Sequence, residues 1–148
     1  MLTVFWDVKG LLEMDFTDGV INSDYYINLI NEVRSLQRKP SNHDLYLLHG
    51  NALVHKSNRT QEEIVRFCFI HFLQHPPYSQ DLAPSDFWLF NHLKKHLRDH
   101  KFNSKENLKS EVNNFFFERN NTFFKIGFET MVDRQRKCVD VNGNYVEK

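Results

Sequence analysis

Apolar and polar positions along this chain switch between two spacings, and the switches mark its elements. Residues 2–6 and 10–16 are short apolar-rich runs joined by Asp7-Val8-Lys9, a pattern that predicts a β-hairpin. Asp18-Gly19 marks a turn. Tyr26, Leu29, Ile30, Val33 and Leu36 then recur at helical spacing behind Asn22 or Ser23 as the cap. Pro40-Ser41-Asn42 ends the connection, and residues 45–49 read as a buried strand. Thr60 opens a helix reaching about Phe67, and residues 69–73 read as a further strand. Three helices are expected after that, at about 85–97, 104–117 and 122–137. In the second of them Leu108, Val112, Phe115 and Phe116 form the apolar stripe. Strands come early and helices late, with no repeat and no low-complexity tract, which predicts an α/β domain.

One stretch departs from these patterns. Residues 75–90, HPPYSQDLAPSDFWLF, hold three prolines, two aspartates and four aromatic residues. Pro76 and Pro77 favour extended backbone, because the ring fixes φ and disfavours a helical residue before it. Pro84-Ser85-Asp86 reads as a helix start, with Ser85 or Asp86 accepting from the first-turn N–H groups. The run therefore sets a carboxylate, Asp86, at the mouth of a helix. Two readings follow, a metal ligand or an ordinary acidic cap. Asp81 reads as a turn residue bonding to nearby backbone N–H groups.

Residues 75–90 closely resemble the pattern HPPYSPDLAPSDFxLF of mariner-type transposases, members of the DDE/D superfamily of DNA strand-transfer enzymes. Four further blocks resemble that family in the same order: VFWDVKG (4–10), INSDYYINLI (21–30), LYLLHGNALVH (45–55) and LKKHLRDHKF (93–102). The closing segment RKCVDVNGNYVEK (136–148) is similar as well. The transposase-derived part of SETMAR-like proteins carries the same pattern. Nothing in this chain reads as a SET domain or a methyl-donor loop. The resemblance implies an RNase H-like mixed sheet with flanking helices, spanning residues 1–148 as a truncated catalytic domain without its N-terminal central strand. The helix-turn-helix DNA-binding region of the family has no counterpart in this sequence.

In the family three carboxylates hold two divalent cations, Mg²⁺ or Mn²⁺. The first belongs to a motif on the first strand and is absent here. The second is the Asp of HDN, where this chain reads His49-Gly50-Asn51. The third corresponds to Asp86, the one carboxylate that matches. Asp7 aligns with the end of VFWD and does not replace the first. The interval from Gly50 to Asp86 is one residue longer than the usual arrangement, and Gln80, Leu53-Val54 and Gln135 also depart from the family pattern. Two-metal phosphoryl transfer needs two hard cations about 4 Å apart, held through oxygen ligands. Glycine supplies no side-chain oxygen. The expectation is therefore a chain that does not bind the metals productively and does not cleave DNA.

Composition narrows the partners. The chain has 19 basic and 19 acidic side chains and a formal charge of zero, without the basic excess of a free-standing DNA binder. DNA binding is implied by the family and falls on Lys94, Lys95, Arg98 and Lys101, which read equally well as a solvated helix surface. A family-type homodimer and a nuclear location are likewise implied by the resemblance. No apolar run of about 18 residues and no signal-peptide pattern occurs, so no membrane span is expected; nor does any feature suggest a small-molecule substrate. Cys68 reads as a small core residue, and with Cys138 makes no metal or disulfide pattern. His92, His96 and His100 share a helical face that reads as solvated and basic, with a metal site as the alternative. His49 and His55 read as satisfied strand-end groups, with a cation held together with Asp86 as the alternative. Arg134, Arg136 and Lys137 read as complements of a helix C-terminus. Three functions are in view: a decayed transposase, a non-catalytic DNA-binding or dimerisation module, and an active nuclease whose missing carboxylate comes from a partner or from an upstream exon. Without the central strand, the sheet halves would carry unpaired edges that favour aggregation.

Overall fold

The computed structural model describes residues 1–36, 45–68, 70–73 and 75–146. Among them the strands form two pairs, β1 (Leu2–Asp7) with β2 (Gly10–Phe16), and β3 (Leu45–Leu48) with β4 (Ile70–Leu73). The first pair is the predicted hairpin. Asp7 Oδ1 accepts from the backbone N–H groups of Lys9 (2.7 Å) and Gly10 (3.1 Å), and Gly10 takes φ 149°, open only to glycine at low cost. At the open end Thr17 N–H donates to the Met1 carbonyl at 3.0 Å. The second pair is parallel, with Leu47 opposite Phe72. Among the described residues the result is a mixed α/β arrangement, two short strand pairs with flanking helices.

Two compact units divide the described residues. The first holds residues 1–5 and 12–77. Helix α1 (Ser23–Leu36) starts behind Asn22, whose Oδ1 accepts from Tyr25 N–H at 2.9 Å, so Asn22 and not Ser23 is the cap. Tyr26 and Ile30 from its predicted stripe meet Ile64 to form the core, with Phe5, Leu47 and Val54 packed against it. Leu36 closes the helix and stays exposed, so the stripe ends a turn early. Tyr46 is 57% exposed, so β3 is not the fully buried strand expected.

The helix assigned to Thr60 begins earlier. A short α2 (Leu53–Lys56) leads into α3 (Asn58–Cys68), and Ser57 Oγ accepts from Thr60 N–H at 3.2 Å. Thr60 sits inside the first turn, fully buried, its hydroxyl donating to the Val54 carbonyl at 2.8 Å. The expected break at Pro40-Ser41-Asn42, the strand position Phe69 and the packing of Cys68 lie outside the described residues and side chains.

The second unit holds residues 6–11 and the chain from Tyr78 onward. A 3-10 turn (Gln80–Leu82) precedes a π-helical segment (Ser85–Phe90) that continues as α4 (Asn91–Leu97). Sequence spacing predicted one α-helix there. The wider turn buries Leu89 completely and directs the Trp88 indole N–H to the Phe123 carbonyl at 3.0 Å. Helices α5 (Lys105–Phe117) and α6 (Asn121–Asp140) follow, capped by Ser104 and Asn120 as their side-chain oxygens accept from Asn107 and Phe123 N–H. Val112, Phe115 and Phe116 are buried as the stripe requires, while Leu108 lies at its exposed margin. Gly127 of α6 lies beneath two indoles: a Cβ there would stand 2.7 Å from Trp88 and 2.9 Å from Trp6.

Candidate active site

Gly50 and Asp86, the positions that the sequence resemblance assigns to the family site, fall in different units, and each has its own surroundings. Gly50 follows the end of β3. Its carbonyl accepts from His55 Nδ1–H at 2.9 Å, and Asn51 Nδ2 donates to the His75 carbonyl at 3.1 Å. The connection after β3 is thus tied to the start of the proline run. Nothing lies within 4 Å of where a Cβ on Gly50 would stand, so the space of a side chain is present but no donor atom fills it.

His49 and His55 stack with ring centroids 4.8 Å apart, and Tyr26 Oη shares a hydrogen bond with His49 Nδ1 at 3.0 Å. Burial, and then the proximity of His55, pushes the His49 imidazole down to about 4. Burial also lowers His55, opposed by its bond to the Gly50 carbonyl. Burial raises the Tyr26 phenol above its ordinary value. The two imidazoles are hydrogen-bonded as satisfied groups should be, but only His49 lies at a strand end; His55 sits in α2.

Asp86 is an exposed residue in the first turn of the π-helical segment, its N–H donating to the Ala83 carbonyl at 2.9 Å. The cap position belongs to Pro84, not to Ser85 or Asp86, which lie inside the helix. Ser85 Oγ instead accepts from the Trp6 indole N–H at 3.0 Å, a bond that spans 79 residues of sequence. This bond ties the hairpin tip to the segment carrying Asp86.

Among the described residues no group of three or more His, Cys, Asp or Glu is arranged to hold a metal ion. A pair of divalent cations needs bridging carboxylate oxygens, and Gly50 offers none, so the residues present do not fit the family's metal pair. His92 and His100 each donate from Nδ1 to the carbonyl four residues back, Trp88 at 2.7 Å and His96 at 2.8 Å. His96 Nε2 meets Glu111 at 2.6 Å and so links α4 to α5. The face expected to be solvated and basic is therefore engaged: His92 packs on Trp88 and Phe123, and His96 on Phe115. Lys94, Lys95, Arg98 and Lys101 are all exposed.

Two residues behave differently from their sequence reading. Arg134 does not serve the end of α6; its Nη1 donates to the Asp81 carbonyl at 2.9 Å and its guanidinium lies 4.2 Å from the Phe87 ring centroid. Asp81 bonds no neighbouring N–H through its accepting Oδ2, which takes the N–H of Val146 at 2.9 Å. Local spacing carries no signal for a bond across 65 residues. The one sequence clue is that residues 136–148 resemble the family's closing segment.

Comparison with known proteins agrees with this arrangement. The family described as Transposase (partial DDE domain) matches residues 1–45. Over those residues the chain resembles the DDE-type transposase class. The chain is 32% identical over 155 residues to Mariner Mos1 transposase of Drosophila mauritiana, covering 99% of this chain and 45% of that protein. It is 30% identical over 154 residues to human histone-lysine N-methyltransferase SETMAR, covering 99% of this chain and 22% of that protein. The chain thus spans less than half the length of these two relatives. A solved structure of the Mos1 transposase catalytic domain with raltegravir and Mn superposes with a TM-score of 0.89 at 31% identity, covering 99% of this chain and 76% of that one. The Mos1 mariner paired-end complex with Mn gives a TM-score of 0.90 at 32% identity, covering 99% of this chain and 44% of the other. The chain belongs to the mariner-type transposase family, and it matches the catalytic domain of that family.

Proposed function

We propose that this chain is a degenerate mariner-type transposase domain whose ancestral reaction, metal-dependent DNA cleavage and strand transfer, has been lost. The observation that carries this reading is Gly50. The fold around it follows the Mos1 catalytic domain closely, yet the position after β3 holds no carboxylate. Asp86 remains as the third family ligand, exposed at the start of its helix. One aspartate neither neutralises nor spaces two dications. The Mos1 structures solved with Mn or Mg concern a protein that this chain resembles at 31% identity. Titration of the purified chain with Mn²⁺, read by electron paramagnetic resonance, tests the reading. Free-ion signal throughout is expected, whereas saturable binding of two ions that depends on Asp86 would refute it.

The exposure of Lys94, Lys95, Arg98 and Lys101 favours a second reading, a non-catalytic DNA-binding module. Each cation that neutralises a phosphate contributes about 0.9 to the slope of log affinity against log salt. Replacing all four by alanine is expected to flatten that slope; an unchanged slope would remove these residues from the interface. A homodimer and nuclear residence belong to the same reading. Light scattering on the eluted chain tests the first, and imaging of a tagged chain in cells tests the second.

A further inference from the structure

The Asp81 bond to Val146 belongs to a larger arrangement in the second unit. Helix α6 ends in two interlocking backbone bonds, Gly143 N–H to the Cys138 carbonyl at 2.8 Å and Asn142 N–H to the Val139 carbonyl at 3.1 Å. With Asn142 at φ 54° this is a Schellman termination, and Gly143 at φ 84° extends the reversal. Asn-Gly at 142–143 suits both positions, since asparagine and glycine tolerate the left-handed region best. The reversal sends the chain back to the proline-run turn. There Tyr145 Oη–H donates to the Tyr78 carbonyl at 2.8 Å, Val146 N–H donates to Asp81 Oδ2 at 2.9 Å, and the Val146 side chain is 8% exposed.

The turn receiving these bonds has a feature that calls for external support. Tyr78 lies at φ 59° although it carries a Cβ, and its side chain is exposed. Such a conformation persists where surrounding contacts over-determine it. Tyr145 holds its carbonyl, while Arg134 and Val146 hold Asp81 from two sides. The backbone between them is pinned by Leu82 N–H to the Ser79 carbonyl (3.0 Å) and Ala83 N–H to the Gln80 carbonyl (3.2 Å). Ala83 then accepts from Asp86 and Phe87 N–H at the head of the π-helical segment.

We infer that residues 144–146 form a clasp that holds the strained turn at residues 78–82, and through it sets the start of the helix bearing Asp86. The device is conformational and independent of whether the chain cleaves DNA. Opening the clasp frees the Tyr78 backbone to relax, and the Leu82, Ala83 and Asp86 amides lose protection together. The helices α5 and α6, held by their own aromatic packing, keep theirs.

Amide hydrogen exchange followed by mass spectrometry tests this on the intact chain and three variants. Tyr145→Phe removes one donor, Val146→Pro removes the other, and Val146→Ala keeps the N–H while shortening the buried side chain. Local opening is expected to raise exchange across residues 78–86 about tenfold in Val146→Pro, and less in Tyr145→Phe, with peptides of α5 unchanged. Val146→Ala should fall between Val146→Pro and the unaltered chain. Three results would overturn the inference: an unaltered chain whose Leu82 and Ala83 amides already exchange freely, variants with unchanged exchange at 78–86, or a rise that is uniform across the whole chain.

Discussion

Gly50 and Asp86 separate function from stability at single positions. Because a Cβ on Gly50 meets nothing within 4 Å, Gly50→Asp should fold normally, shifting stability by less than about 0.5 kcal/mol in thermal denaturation. Asp86→Ala, at an exposed position, should be equally mild. A large loss in either would mean that the position is structural. His49 gives a pH prediction. Its folded-state value is about 4 against an ordinary 6.5, so the unfolded chain binds the proton more readily between those values. The stability contributed by the neutral ring is complete above pH 6.5, falls as pH drops and is gone below about 4. Urea denaturation at a series of pH values should show this fall, and His49→Gln should make it shallower. Gly50 stands out in the sequence because the flanking His49 and Asn51 resemble the family's HDN motif. The stacking of His49 on His55 and Tyr26 does not, since it depends on how α1, α2 and the end of β3 meet.

At the scale of elements, local rules worked where the decisive contacts are local. Ser104 and Asn120 cap their helices through N–H groups three residues ahead, and Asn120→Ala should cost about 1 kcal/mol in a thermal or urea melt. The hairpin turn at Asp7–Gly10 follows the same logic. Local spacing misleads where distant partners decide. Ser85 looked like a cap and is engaged instead by Trp6; Arg134 looked like a helix-end cation and reaches Asp81. The π-helical segment has no marker in residue spacing and shows itself only in where Trp88 and Leu89 must go. Gly127 illustrates the contest between local and tertiary terms. Replacing a helical glycine with alanine ordinarily gains about 1 kcal/mol. Here the added methyl would press on Trp6 and Trp88, and overpacking costs about 1–3 kcal/mol. Gly127→Ala should therefore lower the melting temperature, and a rise would show that the indoles can move aside.

Across the whole chain, the strands among the described residues form two separate pairs. Each pair leaves backbone edges that favour self-association, and Leu53, Tyr78 and Phe117 are each close to nine-tenths exposed or more. Concentration-dependent self-association is expected in size-exclusion chromatography with light scattering; a monodisperse monomer at all concentrations would contradict it. No helix among the described residues is long and apolar enough to cross a membrane. Under the proposed function the scaffold persists and the ancestral metal pair does not. The most direct measurement is nicking of supercoiled plasmid by the purified chain in Mn²⁺, beside Asp86→Ala. No cleavage above background is expected in either. Nicking by the unaltered chain that disappears in Asp86→Ala would contradict the proposed function, because it would show a working metal site without a carboxylate at position 50.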